Sequence, residues 1–149
     1  MATIPVNQDN LSDLVFHEID PSVGYARRVI NLSNNDTEIP MGTVVFRAST
    51  VDQAAPYAVA TKGDLMDDTA PADDIDLAVV FGDAYGCKRV FTTADEGNTQ
   101  AVAFVRGEVF LKDHLLLEAL DIGRDDAEYG ALKGLLEDQG IIIETTINA

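Results

Sequence analysis

Leu77-Ala78-Val79-Val80-Phe81-Gly82 is a continuous apolar run, closed by a glycine and preceded by the most acidic part of the chain. A run of this length and composition is expected of a strand covered on both faces. Downstream, Gln100-Ala101-Val102-Ala103-Phe104-Val105-Arg106 reads as another strand, and Gly86-Cys87-Lys88-Arg89-Val90-Phe91 as a third. These last two bracket Thr92 to Thr99, where Asp95-Glu96-Gly97-Asn98 supplies turn chemistry, so an antiparallel hairpin is expected there.

Working outward toward the N-terminus, the span from Tyr25 to Leu32 alternates with a period of two, and Ser33-Asn34-Asn35-Asp36-Thr37 then makes a turn. Ile39-Pro40-Met41-Gly42-Thr43-Val44-Val45-Phe46-Arg47 carries β-branched and aromatic residues that favour the pleated conformation, and Pro56-Tyr57-Ala58-Val59-Ala60 is a further short strand. Lys62 to Asp76, with Asp64, Asp67, Asp68, Asp73, Asp74 and Asp76 around Pro71, is expected to be a solvated loop.

Beyond Gly107 the period changes. Leu111, Leu115, Leu116 and Ala119 recur at helical spacing up to Asp121-Ile122-Gly123, and a second helix follows with Leu132, Leu135 and Leu136 as its stripe and Gly140 as its stop. Ile141-Ile142-Ile143-Glu144 is then a last strand. The first part, Met1 to about Tyr25, has no Lys or Arg and only dispersed apolar residues. It is expected to be an arm that orders on a partner, with a short helix over Leu11 to His17 packed on its own domain as the alternative.

Bulk composition narrows the function classes. The chain has 149 residues with 10 Lys plus Arg against 26 Asp plus Glu, a formal net charge of -16. That surface repels nucleic acid and anionic membranes. No stretch approaches the roughly 20 apolar residues that cross a bilayer, and the first residues lack the basic and apolar regions of a secretory signal, so synthesis in a cytoplasm is expected. A single cysteine, Cys87, excludes an internal disulfide and any C-x-x-C arrangement.

Chemistry-bearing constellations are sparse. His17 and His114 are the two histidines of the chain. His114 and Glu118 have the i, i+4 spacing of paired metal ligands on a helix, but a third histidine and a second cysteine are missing. Asp64-x-x-Asp67-Asp68 and Asp73-Asp74-x-Asp76 do not follow the EF-hand order. Gly82-Asp83-Ala84-Tyr85-Gly86 lacks the Lys-Ser/Thr of a phosphate cradle, and Gly130-x-x-x-Gly134 reads as helix packing. The pairs Arg27-Arg28 and Lys88-Arg89 send their side chains to opposite sheet faces and build no stripe for phosphates. No enzyme, metal or cofactor is expected.

The order of these segments carries a resemblance. Ile39-Pro40-Met41-Gly42-Thr43-Val44-Val45, an Ala-rich strand, Leu77-Ala78-Val79-Val80-Phe81, and Ala101-Val102-Ala103-Phe104-Val105-Arg106-Gly107-Glu108-Val109 together resemble the lambda-type bacteriophage head decoration proteins. The resemblance runs from about Gly24 to the C-terminus, with a longer acidic loop and a longer helical segment than the family's pattern.

It implies a trimer at local three-fold positions on the outer surface of an expanded head, with the major capsid protein as partner. The expected fold is α+β: a mainly antiparallel β domain, barrel-like or tadpole-like, over residues 24-149, with two short helices toward the C-terminus. An extended capsid-binding arm over residues 1-23 precedes it, with Ile4, Val6, Leu11, Leu14, Val15 and Phe16 as anchors. Phe110, Leu116 and Leu117 are candidates for the subunit interface, because three successive leucines at 115-117 cannot all face one core; a helix buried on two sides is the alternative. Other classes remain open: a head-displayed fibre-anchoring or host-attachment module using the acidic loop, and a small carboxylate enzyme with a divalent metal.

Overall fold

A computed structural model of the chain describes residues 14–19, 25–49, 55–84 and 88–145. Twelve strands, β1 (Val15–Glu18), β2 (Arg27–Leu32), β3 (Glu38–Pro40), β4 (Val44–Ala48), β5 (Ala58–Val59), β6 (Met66–Asp67), β7 (Ala70–Pro71), β8 (Ile75–Asp83), β9 (Val90–Thr92), β10 (Thr99–Phe104), β11 (Val109–Lys112) and β12 (Ile141–Glu144), accompany two helices, α1 (His114–Leu120) and α2 (Ala127–Asp138).

The apolar run sits at the centre. Leu77 to Gly82 of β8 are all buried, as an uninterrupted apolar strand requires. Leu77, Val79 and Phe81 face the larger core with the helices, while Ala78 and Val80 face a smaller one with Ile30, Val45, Ala101 and Ala103. Burying each of the larger side chains contributes roughly 1.5–3 kcal/mol, and small residues on the second face let the layers approach. β8 is flanked by β4 and β10, both antiparallel, in a sheet of order β2-β10-β8-β4-β5.

This sheet curls until its two edges touch. Tyr57 N–H donates to the Asn31 carbonyl at 2.7 Å, and Ser33 N–H to the Tyr57 carbonyl at 2.9 Å. The contact is one bridge, Leu32 to Tyr57, and not a ladder, so the expected closed barrel is not found. β5 has two residues and cannot run the length of β2.

The expected hairpin around Thr92 to Thr99 is also corrected. β9 pairs with β3, not with β10. β10 is a central strand, with β2 on one side along its length and β8 on the other from Ala101 to Phe104. Nor is Ile39 to Arg47 one strand. Gly42 turns the chain at φ +93, where a Cβ would stand 2.7 Å from the Leu115 Cβ, and separates β3 from β4. Part of the acidic segment is ordered: buried Leu65 ends a 3-10 turn at Lys62–Leu65, followed by the β6-β7 hairpin.

A second sheet, of order β1-β11-β12, closes the far side of the larger core. β1 runs antiparallel to β11, and β12 parallel to it. A parallel pair needs a long crossover, and α1 and α2 supply it. Leu111, expected on a helix, is therefore in a strand, and the helix starts at His114.

Two polar devices hold this half in place. Fully buried Asp113 receives Arg124 Nε at 2.8 Å and Nη2 at 2.9 Å, and the Tyr129 hydroxyl at 2.9 Å. Gln139 reaches the other sheet, accepting from Leu77 N–H at 2.8 Å and donating to the carbonyls of Leu77 at 2.6 Å and Val105 at 3.0 Å. The molecule is thus α+β, with mostly antiparallel sheets and two helices near the C-terminus.

Candidate functional site

Alternation along β11 and β12 defines a face. Val109, Leu111, Ile141 and Ile143 point inward and belong to the larger core, while Phe110, Lys112 and Ile142 are partly exposed and Glu144 is exposed. Phe110 and Ile142 belong to neither core cluster and are not among the residues packed against one. β1 adds Phe16, 54% exposed, where a register irregularity between Val15 and His17 turns it outward.

The aromatic side chains of this face touch their neighbours. The His17 ring lies 5.9 Å from that of Phe110, and Lys112 Nζ sits 5.0 Å from the Phe16 ring centre. Lys112 and Glu144 are register partners, as are Phe110 and Ile142. On a chain of net charge -16, this face has one cation against one anion around an apolar centre.

The structure places the expected contact residues unevenly. Ile4, Val6 and Leu11 lie outside the described residues. Leu14 has no exposure and is a core residue, so it is no arm anchor; its carbonyl accepts Lys112 N–H. Val15 is partly buried against the same core, and Phe16 alone of the described anchors is free to meet a partner. Residues 14–19 are held in the domain's own sheet, because Leu14 fills a core position and Glu18 pairs with Arg27 at 2.7 Å. The domain therefore begins before residue 24, and the packed Leu11 to His17 helix is replaced, over its described part, by strand.

Of the expected interface residues, Phe110 lies on the outer face. Leu116 is fully buried and Leu117 is partly buried against the core. α1 buries Leu115, Leu116 and Leu120, so Leu116 is a core residue and not an exposed contact. Lys112, Ile142 and Glu144 were not singled out, although Ile141 to Glu144 was read as a strand. The signal was the common in-out period of Val109 to Lys112 and Ile141 to Glu144, hidden by assigning Leu111 to a helix.

Elsewhere, the polar groups serve packing. Arg27 lies 4.6 Å and Arg89 4.2 Å from the Phe81 ring centre, so these cations are spent on an aromatic side chain. Burial pushes the Tyr57 and Tyr129 hydroxyls above the ordinary phenol value of 10.0. The hydrogen bond to Asp113 raises Arg124 further. Among the described residues no group of three or more His, Cys, Asp or Glu could hold a metal ion, and no helix is long and apolar enough to cross a membrane.

Comparison of the chain with family models, with curated proteins and with solved structures finds no match.

Proposed function

We propose that the chain is a structural, non-catalytic decoration protein of a tailed-phage head. It binds the outer surface of the expanded shell as a trimer at local three-fold positions, with the major capsid protein as its partner. The observation that carries this reading is the segment order from Ile39 to Val109 that resembles the lambda-type family. A net charge of -16 suits an outward position, away from packaged DNA.

Residues 1–13 are the proposed capsid-binding segment, with Ile4, Val6 and Leu11 as its apolar anchors. A segment of this kind adds a strand to an exposed sheet edge, where main-chain hydrogen bonds give affinity and alternate side chains give register. Phe16, exposed where that segment enters the domain, continues the contact. Binding the expanded lattice and not its precursor stabilises the expanded form by mass action, without turnover.

Co-sedimentation with expanded and unexpanded heads tests this. The full chain is expected to pellet with expanded heads alone, and a chain lacking residues 1–13 to stay in the supernatant while keeping its fold. Equal pelleting of the truncated chain would sink the assignment of the segment, and failure of the full chain to pellet would sink the function. A host-attachment module is the second reading, favoured by the acidic groove of Asp73, Asp76, Glu137 and Asp138 between the β6-β7 side and α2. Replacing Asp73, Asp76 and Asp138 by Asn and Glu137 by Gln separates the two: shell binding survives under both, and attachment is lost only under the second.

A further inference from the structure

The described residues leave one face of the β1-β11-β12 sheet uncovered, and its register makes that face self-complementary. Phe110 is level with Ile142, and Lys112 with Glu144, on adjacent parallel strands. We propose that this face is the contact for a second copy of the chain, related by a two-fold axis that runs parallel to the strands between β11 and β12. Such an axis lays β11 of one copy over β12 of the other at the same level. Phe110 then meets Ile142 of the partner subunit, and Lys112 meets Glu144 of the partner subunit, each contact occurring twice. An isologous interface demands this property, that one patch be its own complement.

Charge selects the occupant. Two copies of a chain at -16 repel through most of their surfaces. Here they present one cation and one anion each, arranged so that unlike charges oppose, around Phe110 and Ile142. Size sets the strength. The two opposed strands, of four residues each, cover roughly 130 Å², from a spacing of about 4.8 Å and a rise of about 3.3 Å. Stable complexes bury about 800 Å² per partner, so this contact is weak in dilute solution.

Sedimentation equilibrium of the full chain, at about 0.15 M salt where screening extends over about 8 Å, tests the contact. The full chain is expected to pass from monomer to dimer as its concentration rises toward about 1 mM. Lys112→Glu puts anion opposite anion at two places, and Glu144→Lys puts cation opposite cation; each is expected to weaken association about ten-fold or more. The double variant K112E/E144K is expected to restore it, and F110S to remove it. All these positions are partly or fully exposed, and circular dichroism of each variant confirms that it is folded.

A full chain that stays monomeric would overturn the proposal, as would single variants that dimerise normally or a double variant as weak as the singles. Dimerisation seen only after removal of residues 1–13 would assign the face to the chain's own N-terminal segment and overturn it as well. No shell is present in the measurement, so its failure leaves the proposed function standing, and failure of shell binding leaves this contact standing.

Discussion

Asp113 is the buried anion of the C-terminal half. Its carboxylate is fully buried and satisfied by Arg124 and by Tyr129, tying the end of β11 to the start of α2. Removing the Tyr129 hydroxyl takes away one hydrogen bond to a charged group. Y129F is expected to cost about 1.5–3 kcal/mol, seen as a fall in Tm. D113A, which leaves Arg124 and the Tyr129 hydroxyl without their common acceptor, is expected to lower Tm further; differential scanning calorimetry checks both. The tyrosines also set the alkaline limit. Tyr57 and Tyr129 are held above 10.0 chiefly by desolvation, so the folded state favours their protonated form. Their contribution is complete below the unfolded phenol value of about 10 and is lost as pH rises through the higher folded values. Urea unfolding is expected to show stability falling above about pH 10, with a smaller fall in Y57F.

At the scale of elements, the boundary between arm and domain is the sharpest test. Leu14 occupies a core position and β1 is hydrogen-bonded to β11, so L14A is expected to cost about 2–5 kcal/mol by cavity formation, while removal of residues 1–13 leaves the melting transition almost unchanged. Thermal melts of the two variants distinguish core from arm. Gln139 offers a second test. Its side-chain amide satisfies a backbone N–H and two carbonyls just past the end of the β8-β10 ladder, and Q139L leaves these groups unpaired, with an expected cost of about 2–3 kcal/mol.

These elements also show what was legible in the sequence. The central strand, the alternating β2, the second helix and the last strand followed from periodicity, because each has one or two buried faces and writes them as an apolar pattern. The partnerships did not follow. β9 looked like the neighbour of β10, yet local turn chemistry cannot reveal that β10 is already flanked on both sides. Leu111 fitted a helical spacing because Val109, Leu111 and Leu115 satisfy a strand period up to the Asp113 junction and a helix period beyond it. Two of the five residues of the candidate face, Phe16 and Phe110, are legible in the sequence; Lys112, Ile142 and Glu144 join it through a parallel pairing across the whole crossover, which local pattern does not encode.

For the whole molecule, the two larger sheets enclose one larger core with the helices, and the outer face of β11 and β12 carries one cation and one anion around Phe110 and Ile142. Under the proposed function the chain is seated through its N-terminal segment, and its net charge of -16 repels DNA. The central claim is that this seat is the outside of a phage head. Cryo-microscopy of expanded heads incubated with the full chain tests it directly. The account predicts added density on the outer surface at local three-fold positions, into which the described domain fits with residue 14 toward the shell. Density at the vertices, inside the shell or at no ordered position would contradict it.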